Sequence, residues 1–259
     1  MSKRKRLFYD IETSKTVFSG WRTGKQFVGA HQIMEHTKII CISWKWEGES
    51  TVHHLDWGLK KQCDKKLLQK FIPILESADQ SIGHNSDGFD LKWIRSRAMF
   101  HNIPMSPYFN TIDTYKIVKS ICKLPSYSLA NCCKYFGLEA KRDSGGDETW
   151  NGVQFRKEQE ALDTMIYYCD GDIISLEALF QKIRPYSKHK FNYAVLSGNN
   201  KGLCPECGGL TNWNKTYTTS AGTIQHYMKC RDSICNTKFK INNKTLQDYN
   251  TYKLINNIK

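Results

Sequence analysis

The 259-residue sequence predicts an α/β core with a mixed sheet, followed by a small cysteine-rich domain. Three observations carry that expectation. Short β-branched and aromatic runs alternate with helical periodicity over most of the first 186 residues. A polar, glycine-containing stretch, SGNNKG at 197–202, reads as a linker. Two close cysteine pairs then follow within a short basic tail. The predicted division is 1–196 for the α/β domain and 197–259 for the appendage.

LFYDIET reads as the first strand, and KIICISWKW and STVHHLDW read as two more, joined by a turn at Glu47–Gly48–Glu49. Between them, Ser14 to Thr37 holds Gly20, Gly24 and Gly29 among Phe18, Trp21, Arg22, Lys25 and Phe27. That stretch reads as a surface excursion, or as a flap whose aromatics stack on bases. KKLLQKFIPILESA predicts a helix despite Pro73, QSIGHN a short strand, and GFDLKWIRSRAMFHNI a helix. TIDTYKIVKSI is ambiguous between strand and helix. SYSLANCCKYFGL predicts a helix with Ser126 as N-cap and Gly137 as its stop. KRDSGGDETWNG reads as a polar loop close to substrate, and KEQEALDTMIYYCDGDIISLEALFQKI as a final long helix.

A net charge of +13 and a pI near 9.2 point to a polyanionic partner rather than a small acidic metabolite. The charge is shared. Residues 201–259 hold nine Lys/Arg against three acids, so the tail carries +6 and residues 1–200 carry +7. No apolar run reaches the ~18 residues of a membrane span. The start, MSKRKRLFYD, shows no apolar segment of signal-peptide length, and its basic residues read as a solvated lead-in. Six of the ten cysteines are scattered among apolar patterns, which favours an intracellular, reducing compartment.

Four acids in three distant places carry the chemistry. Asp10 and Glu12 are two apart in a strand-like run and share a face. Asp90 opens a helical stretch after IGHN, and Asp172 lies four residues after Tyr168 on one helix face. Gathering four carboxylates is unfavourable by ~4 kcal/mol per pair at ~4 Å and an effective dielectric of ~20. Two divalent cations remove that penalty, and hard oxygen ligands suit Mg²⁺ or Mn²⁺. Asp113 is a weaker acidic competitor. Asp170 falls roughly 200° around the helix from Asp172.

At these residues the chain resembles the proofreading-type 3′–5′ exonucleases of the RNase H-like superfamily, in the Asp-Glu-Asp-Asp branch with an added Tyr (DEDDy). FYDIET, HNSDGFD and Tyr168–Cys–Asp–Gly–Asp172 match the three motifs in order, over roughly residues 5–186. The resemblance implies that Asp10 bridges two metals, Glu12 and Asp172 complete one site, and Asp90 holds the other ion. Tyr168 would orient the attacking water. The pattern places the second-motif ligand directly after Phe89, which selects Asp90 over Asp87. His84 and Asn85 match its polar pair and are read as loop support, or as core and turn residues. The implied substrate is the 3′ end of single-stranded DNA. An RNase using the same acids, and an inactive nucleic-acid-binding or adaptor protein, remain alternatives.

Cys204 and Cys207 (Cys-x2-Cys) and Cys230 and Cys235 (Cys-x4-Cys), with 22 residues between the pairs, resemble a zinc ribbon holding one structural Zn²⁺. Gly208 and Gly209 follow the first pair, and Asn236 follows the second where glycine is common. His226 is the competing ligand, and disulfides or unliganded thiols are the alternative state. Trp213, Lys215, Tyr217, Tyr227, Lys229 and Lys238 offer an aromatic-basic surface for single strands, or pack a small core. A polymerase or another replication or repair protein is the further partner expected through this ribbon.

Overall fold

The computed structural model describes residues 4–22, 24–138, 145–187 and 191–258. Its elements, in chain order, are β1 (Arg6–Thr13), β2 (Val17–Phe18), β3 (Ile33–Glu35), β4 (Ile39–Trp46), β5 (His53–Asp56), α1 (Lys65–Glu76), β6 (Gln80–Gly83), α2 (Asp90–Phe100), β7 (Thr111–Asp113), α3 (Thr114–Ile121), α4 (Leu129–Phe136), α5 (Gly146–Asn151), α6 (Gln159–Ile183), α7 (Tyr193–Leu196), β8 (Thr211–Thr218), β9 (Ile224–Cys230), β10 (Lys238–Asn242) and α8 (Asn243–Ile255). The predicted mixed α/β fold is present. Two compact units divide between Gln181 and Lys182.

The first unit is built on a five-stranded sheet in the order β5-β4-β1-β6-β7. β1 runs antiparallel to β4 and parallel to β6, so the sheet is mixed. Strand alternation sorts the β1 side chains between its two faces. Leu7, Tyr9 and Ile11 pack with Leu67, Phe71 and Leu75 of α1 and with Leu91 and Ile94 of α2. Phe8, Asp10 and Glu12 take the opposite face, where Phe8 meets Phe180 of α6 edge-on at 5.7 Å. The β4 residues Ile40 and Cys41 are buried there with Leu162, Met165 and Cys169. One strand thus separates its apolar payload from its acids.

Several local expectations change. TIDTYKIVKSI is both elements, because Asp113 ends β7 and caps α3 by accepting from the Tyr115 and Lys116 amides. Ser128, not Ser126, caps α4, accepting from the Asn131 amide, and Gly137 stops it in the left-handed conformation. Part of the expected loop is helix α5, which runs on into a wide helical turn over Gly152–Arg156. Residues 141–144 of that stretch lie outside the described residues. The basic lead-in is not solvated at Arg4 and Arg6, which are 9% and 3% exposed. Both donate to the Gln80 side chain at 2.9 Å, and Arg6 also pairs with Glu47 and lies over the Phe180 ring.

The second unit is a three-stranded antiparallel sheet, β10-β9-β8, with α8 against it. Its core holds Ala194, Leu203, Met228, Ile241 and Tyr249. Because Ala194 is buried in that core, the unit begins well before the 196/197 boundary expected from the SGNNKG stretch. The Tyr249 hydroxyl accepts from the Thr211 amide at 2.9 Å and donates to the Thr211 carbonyl at 3.1 Å. At Gly202 an added Cβ would lie 2.3 Å from the Tyr249 ring, so only glycine lets this chain pass.

Candidate active site

Asp10 and Glu12 sit in β1 opposite Ser43 and Cys41 of β4, both half-buried. Asp90, the first residue of α2, is 3% exposed. β1 pairs with β6 only from Arg6 to Phe8, so the Ile11 amide extends past that pairing. Asp90 takes it, its carboxylate accepting from Ile11 N at 3.2 Å. The second motif is thereby fastened to the backbone between Asp10 and Glu12. Burial pushes the Asp90 carboxyl up to about 7, with Asp113 adding to the effect and the Ile11 amide opposing it. Burial, and then Asp90, push the Tyr9 phenol up as well.

The third motif reaches the same strand through Cys169. Its Sγ lies 3.7 Å from both the carbonyl and a carboxylate oxygen of Asp10. Ligand atoms of Asp10, Glu12 and Cys169 all fall within 4.8 Å of one another. The helical period then orders the neighbours of Cys169, at about 100° per residue. Asp170 turns to one side, where it accepts from Ser43 Oγ at 2.6 Å and meets His54 at 3.4 Å. Tyr168 and Asp172 turn to the other side, and Asp172 is 5% exposed. Asp90 and Asp172 fall outside the three-residue cluster. Cys169 appeared in the sequence only as a small buried residue, although its place between Tyr168 and Asp172 marked it. The Cys41 thiol, then burial, then the nearby Asp10 and Glu12 raise its pKa.

The loop carrying the second motif is held by groups outside the motif. Asn85 turns with φ 64°. His84 bonds to the Tyr127 carbonyl at 2.8 Å and to Thr114 Oγ1 at 2.9 Å. Asp113, 1% exposed, accepts from the Asn85 amide at 2.9 Å and the Asp87 amide at 3.3 Å besides capping α3. It is a loop organiser rather than a site carboxylate. Asp87 is turned to Lys116 at 2.7 Å. An added Cβ at Gly83 would lie 2.3 Å from Ser86 Cβ, so the entry into this loop needs glycine. Beyond Glu12, Trp150 donates to the Thr13 carbonyl at 3.0 Å, and Gln154 brackets the Lys15 backbone.

In the second unit, Cys204, Cys207, Cys230 and Cys235 place their sulfurs within 4.8 Å of one another. Two of the separations are 3.7 Å (Cys204–Cys235) and 3.5 Å (Cys207–Cys230). A tetrahedron of ~2.3 Å Zn–S bonds has edges of about 3.8 Å, so the cluster is compatible with zinc. Hydrogen bonding to Cys207 and Cys235 pushes the Cys204 thiol up, and the Cys204 contact pulls Cys235 down. Burial pushes Cys230 up to about 12. Ionising all four thiols together requires a cation. His226 is turned instead to Thr216 and Asn243. A third grouping, Cys63, Asp64 and His101, is already filled by cationic and amide donors. Asp64 takes a two-pronged bond from Arg97 at 2.7 and 2.9 Å and accepts from the Ile39 amide.

Residues 7–184 match the RNase_H_2 family of the RNase_H superfamily, and the chain belongs to that family. No curated protein matches the sequence. Among solved structures it is similar to the family B DNA polymerase from the hyperthermophilic archaeon Pyrobaculum calidifontis, with 18% identity and a TM-score of 0.54. The likeness covers 71% of this chain but 25% of the polymerase chain, and at that identity it speaks for the fold alone. The family supports a nuclease, and nucleases of this superfamily use divalent metals. The carboxylates on β1, α2 and α6 are hard oxygen donors that fit such ions. No described helix is long and apolar enough to cross a membrane, and no disulfide joins any of the ten cysteines among the described residues.

Proposed function

We propose that the chain is a metal-dependent 3′–5′ exonuclease of the DEDDy type, acting on single-stranded DNA. The observation that carries this reading is the convergence on β1 of three distant segments: Asp10 and Glu12 in the strand, Asp90 on the Ile11 amide, and α6 through Cys169. The residues that would hold the metals are Asp10, between two ions, Glu12 and Asp172 for one, and Asp90 for the other. When bound, two Mg²⁺ or Mn²⁺ ions supply water activation and neutralise charge on the scissile phosphate. Tyr168 positions the attacking water through its hydroxyl. Tyr168 is not among the metal-holding residues of this reading, so orientation is its contribution. The loop braced by His84, Asn85 and Asp113 keeps Asp90 in register with β1.

The division of labour is between a nuclease domain and a zinc ribbon whose four thiolates bind one structural Zn²⁺. Intracellular, reducing conditions suit those thiols. A polymerase or another replication or repair protein is the partner this reading expects. Digestion of 3′- and 5′-labelled DNA and RNA oligonucleotides, with Mg²⁺ and with EDTA, tests it. Stepwise shortening from the 3′ end of single-stranded DNA, dependent on Mg²⁺, is expected. Internal cleavage, shortening from the 5′ end, or a preference for RNA would each redirect the assignment.

A further inference from the structure

The exposed face of the second unit's sheet is built differently from its buried face. Strand register places Lys215, Tyr227 and Lys240 side by side across β8, β9 and β10. The next row on the same face pairs Lys229 with Lys238, and Tyr217 lies one step the other way, opposite Gln225. Trp213 opposes Met228 and so belongs to the other face. Tyr227 holds its two neighbours as a pair: the Lys215 and Lys240 ammonium groups lie 5.2 and 5.1 Å from its ring centroid. Beside this row opens a cleft of about 740 Å³, lined among others by Lys201, Lys215, Tyr227, Lys238, Phe239 and Lys240. No acidic side chain lines it among the described residues.

We propose that this cleft and the Lys215–Tyr227–Lys240 row form a second nucleic-acid site, which binds the phosphate backbone of a single strand. This deepens the nuclease reading and rests on it for the choice of nucleic acid. Lys201, Lys215, Lys238 and Lys240 line the cleft with no acidic side chain among its described lining residues, so their like charges repel one another and a polyanion relieves that repulsion. The cation–π contacts fix the spacing of two of them, so less side-chain freedom is lost when phosphates arrive. The cleft volume lies within the ~300–1,000 Å³ range of ligand-sized clefts. Such a hollow admits an unpaired strand, whereas a duplex presents its phosphates on a convex surface. Tyr217, 51% exposed beside the row, offers a stacking surface of the kind that single-strand binders use.

The test uses the full chain, zinc-replete and without added Mg²⁺ or Mn²⁺, and reads the anisotropy of a labelled single-stranded oligonucleotide across a salt series. Replacing Lys215, Lys238 and Lys240 together by Gln should weaken binding and flatten the log Kd against log salt slope by about 2, since each lost phosphate contact lowers it by ~0.7. Tyr227→Leu keeps all the charges; it should weaken binding about two- to fivefold while leaving the slope unchanged. Circular dichroism and zinc content report that these surface variants are folded, and Lys215→Gln alone should lower the slope by ~0.7 if the triple variant is not. Saturating short substrates with Mg²⁺ should be hydrolysed at the parent rate by all of them. Unchanged affinity and slope in folded variants would overturn the proposal. So would polyglutamate of equal charge competing as well as the oligonucleotide, which would make the face a docking surface for an acidic protein. A parent chain that binds with a steep slope but hydrolyses nothing would instead refute the nuclease reading and leave this one standing.

Discussion

The two units gather ligands in opposite ways. The proposed nuclease site would draw oxygen donors from positions as far apart as Asp10 and Asp172, and the sheet, α2 and α6 must all form before α2 and α6 are held against β1. The second unit draws four sulfurs from two tight pairs, Cys204/Cys207 ahead of β8 and Cys230/Cys235 where β9 ends and turns toward β10. One site is a product of its core. In the other, on the proposed zinc-ribbon reading, the small core of Ala194, Leu203, Met228, Ile241 and Tyr249 would need the metal as a partner. Loss of metal should therefore silence the first unit without unfolding it, and unfold the second.

The sharpest way to break that contrast is to remove a thiol. Cys204→Ser should abolish zinc binding and with it much of the second unit's stability, since structural zinc contributes an apparent ~10–16 kcal/mol. Elemental analysis and limited proteolysis should show no zinc and early cleavage after Gln181, with the first unit left intact. A zinc-free parent that resists proteolysis would remove the contrast.

Asp10→Asn should lower hydrolysis roughly a thousandfold, about 4 kcal/mol of lost transition-state stabilisation, with an unchanged melting temperature in metal-free buffer. Near-parental turnover at saturating Mg²⁺ would show that β1 is not the centre of the chemistry.

Stability in the first unit should answer to Asp64 rather than to the site acids. Burial alone would raise its pKa, but bonds from Arg97, the Ile39 amide and His101 outweigh that and hold it below the ordinary carboxylate value. Asp64→Asn leaves the buried Arg97 without its counter-charge and should cost about 3–5 kcal/mol at neutral pH. Because the folded-state pKa is depressed, the parent's advantage is present above the unfolded value of ~3.9 and lost as pH falls through the folded one. Urea titrations at pH 7 and pH 3 should show the gap between parent and variant closing in acid. A gap independent of pH would sink this account of Asp64.

The smallest effect is expected at Tyr168. Tyr168→Phe removes orientation but no ligand, so turnover should fall about ten- to a hundredfold. A loss as large as that of Asp10→Asn would give Tyr168 a greater part than positioning.

Much of this architecture is legible in local patterns. The alternation of LFYDIET separates Asp10 and Glu12 from Leu7, Tyr9 and Ile11, and helical spacing pairs Tyr168 with Asp172. Features that depend on distant partners are not legible. Arg4 and Arg6 look like a solvated run, and distant partners such as Gln80, more than 70 residues away, show why they are buried. Asp113 has no partner acid in sequence, and its role appears when four backbone amides from two segments point at it. Ser126 and Ser128 are both sound helix caps locally, and only the start of α4 chooses between them. Cys169 reads as a buried filler until α6 is laid on the β1 face that carries Asp10.

The proposed site requires Asp10, Glu12, Asp90 and Asp172 to hold two divalent cations jointly. Anomalous scattering from crystals of the full chain soaked with Mn²⁺ and a short single-stranded oligonucleotide measures this directly. Two Mn²⁺ peaks among these four carboxylates, and the loss of both in Asp10→Asn, are expected. Crystals showing no Mn²⁺ there, or Mn²⁺ held equally well by Asp10→Asn, would contradict it.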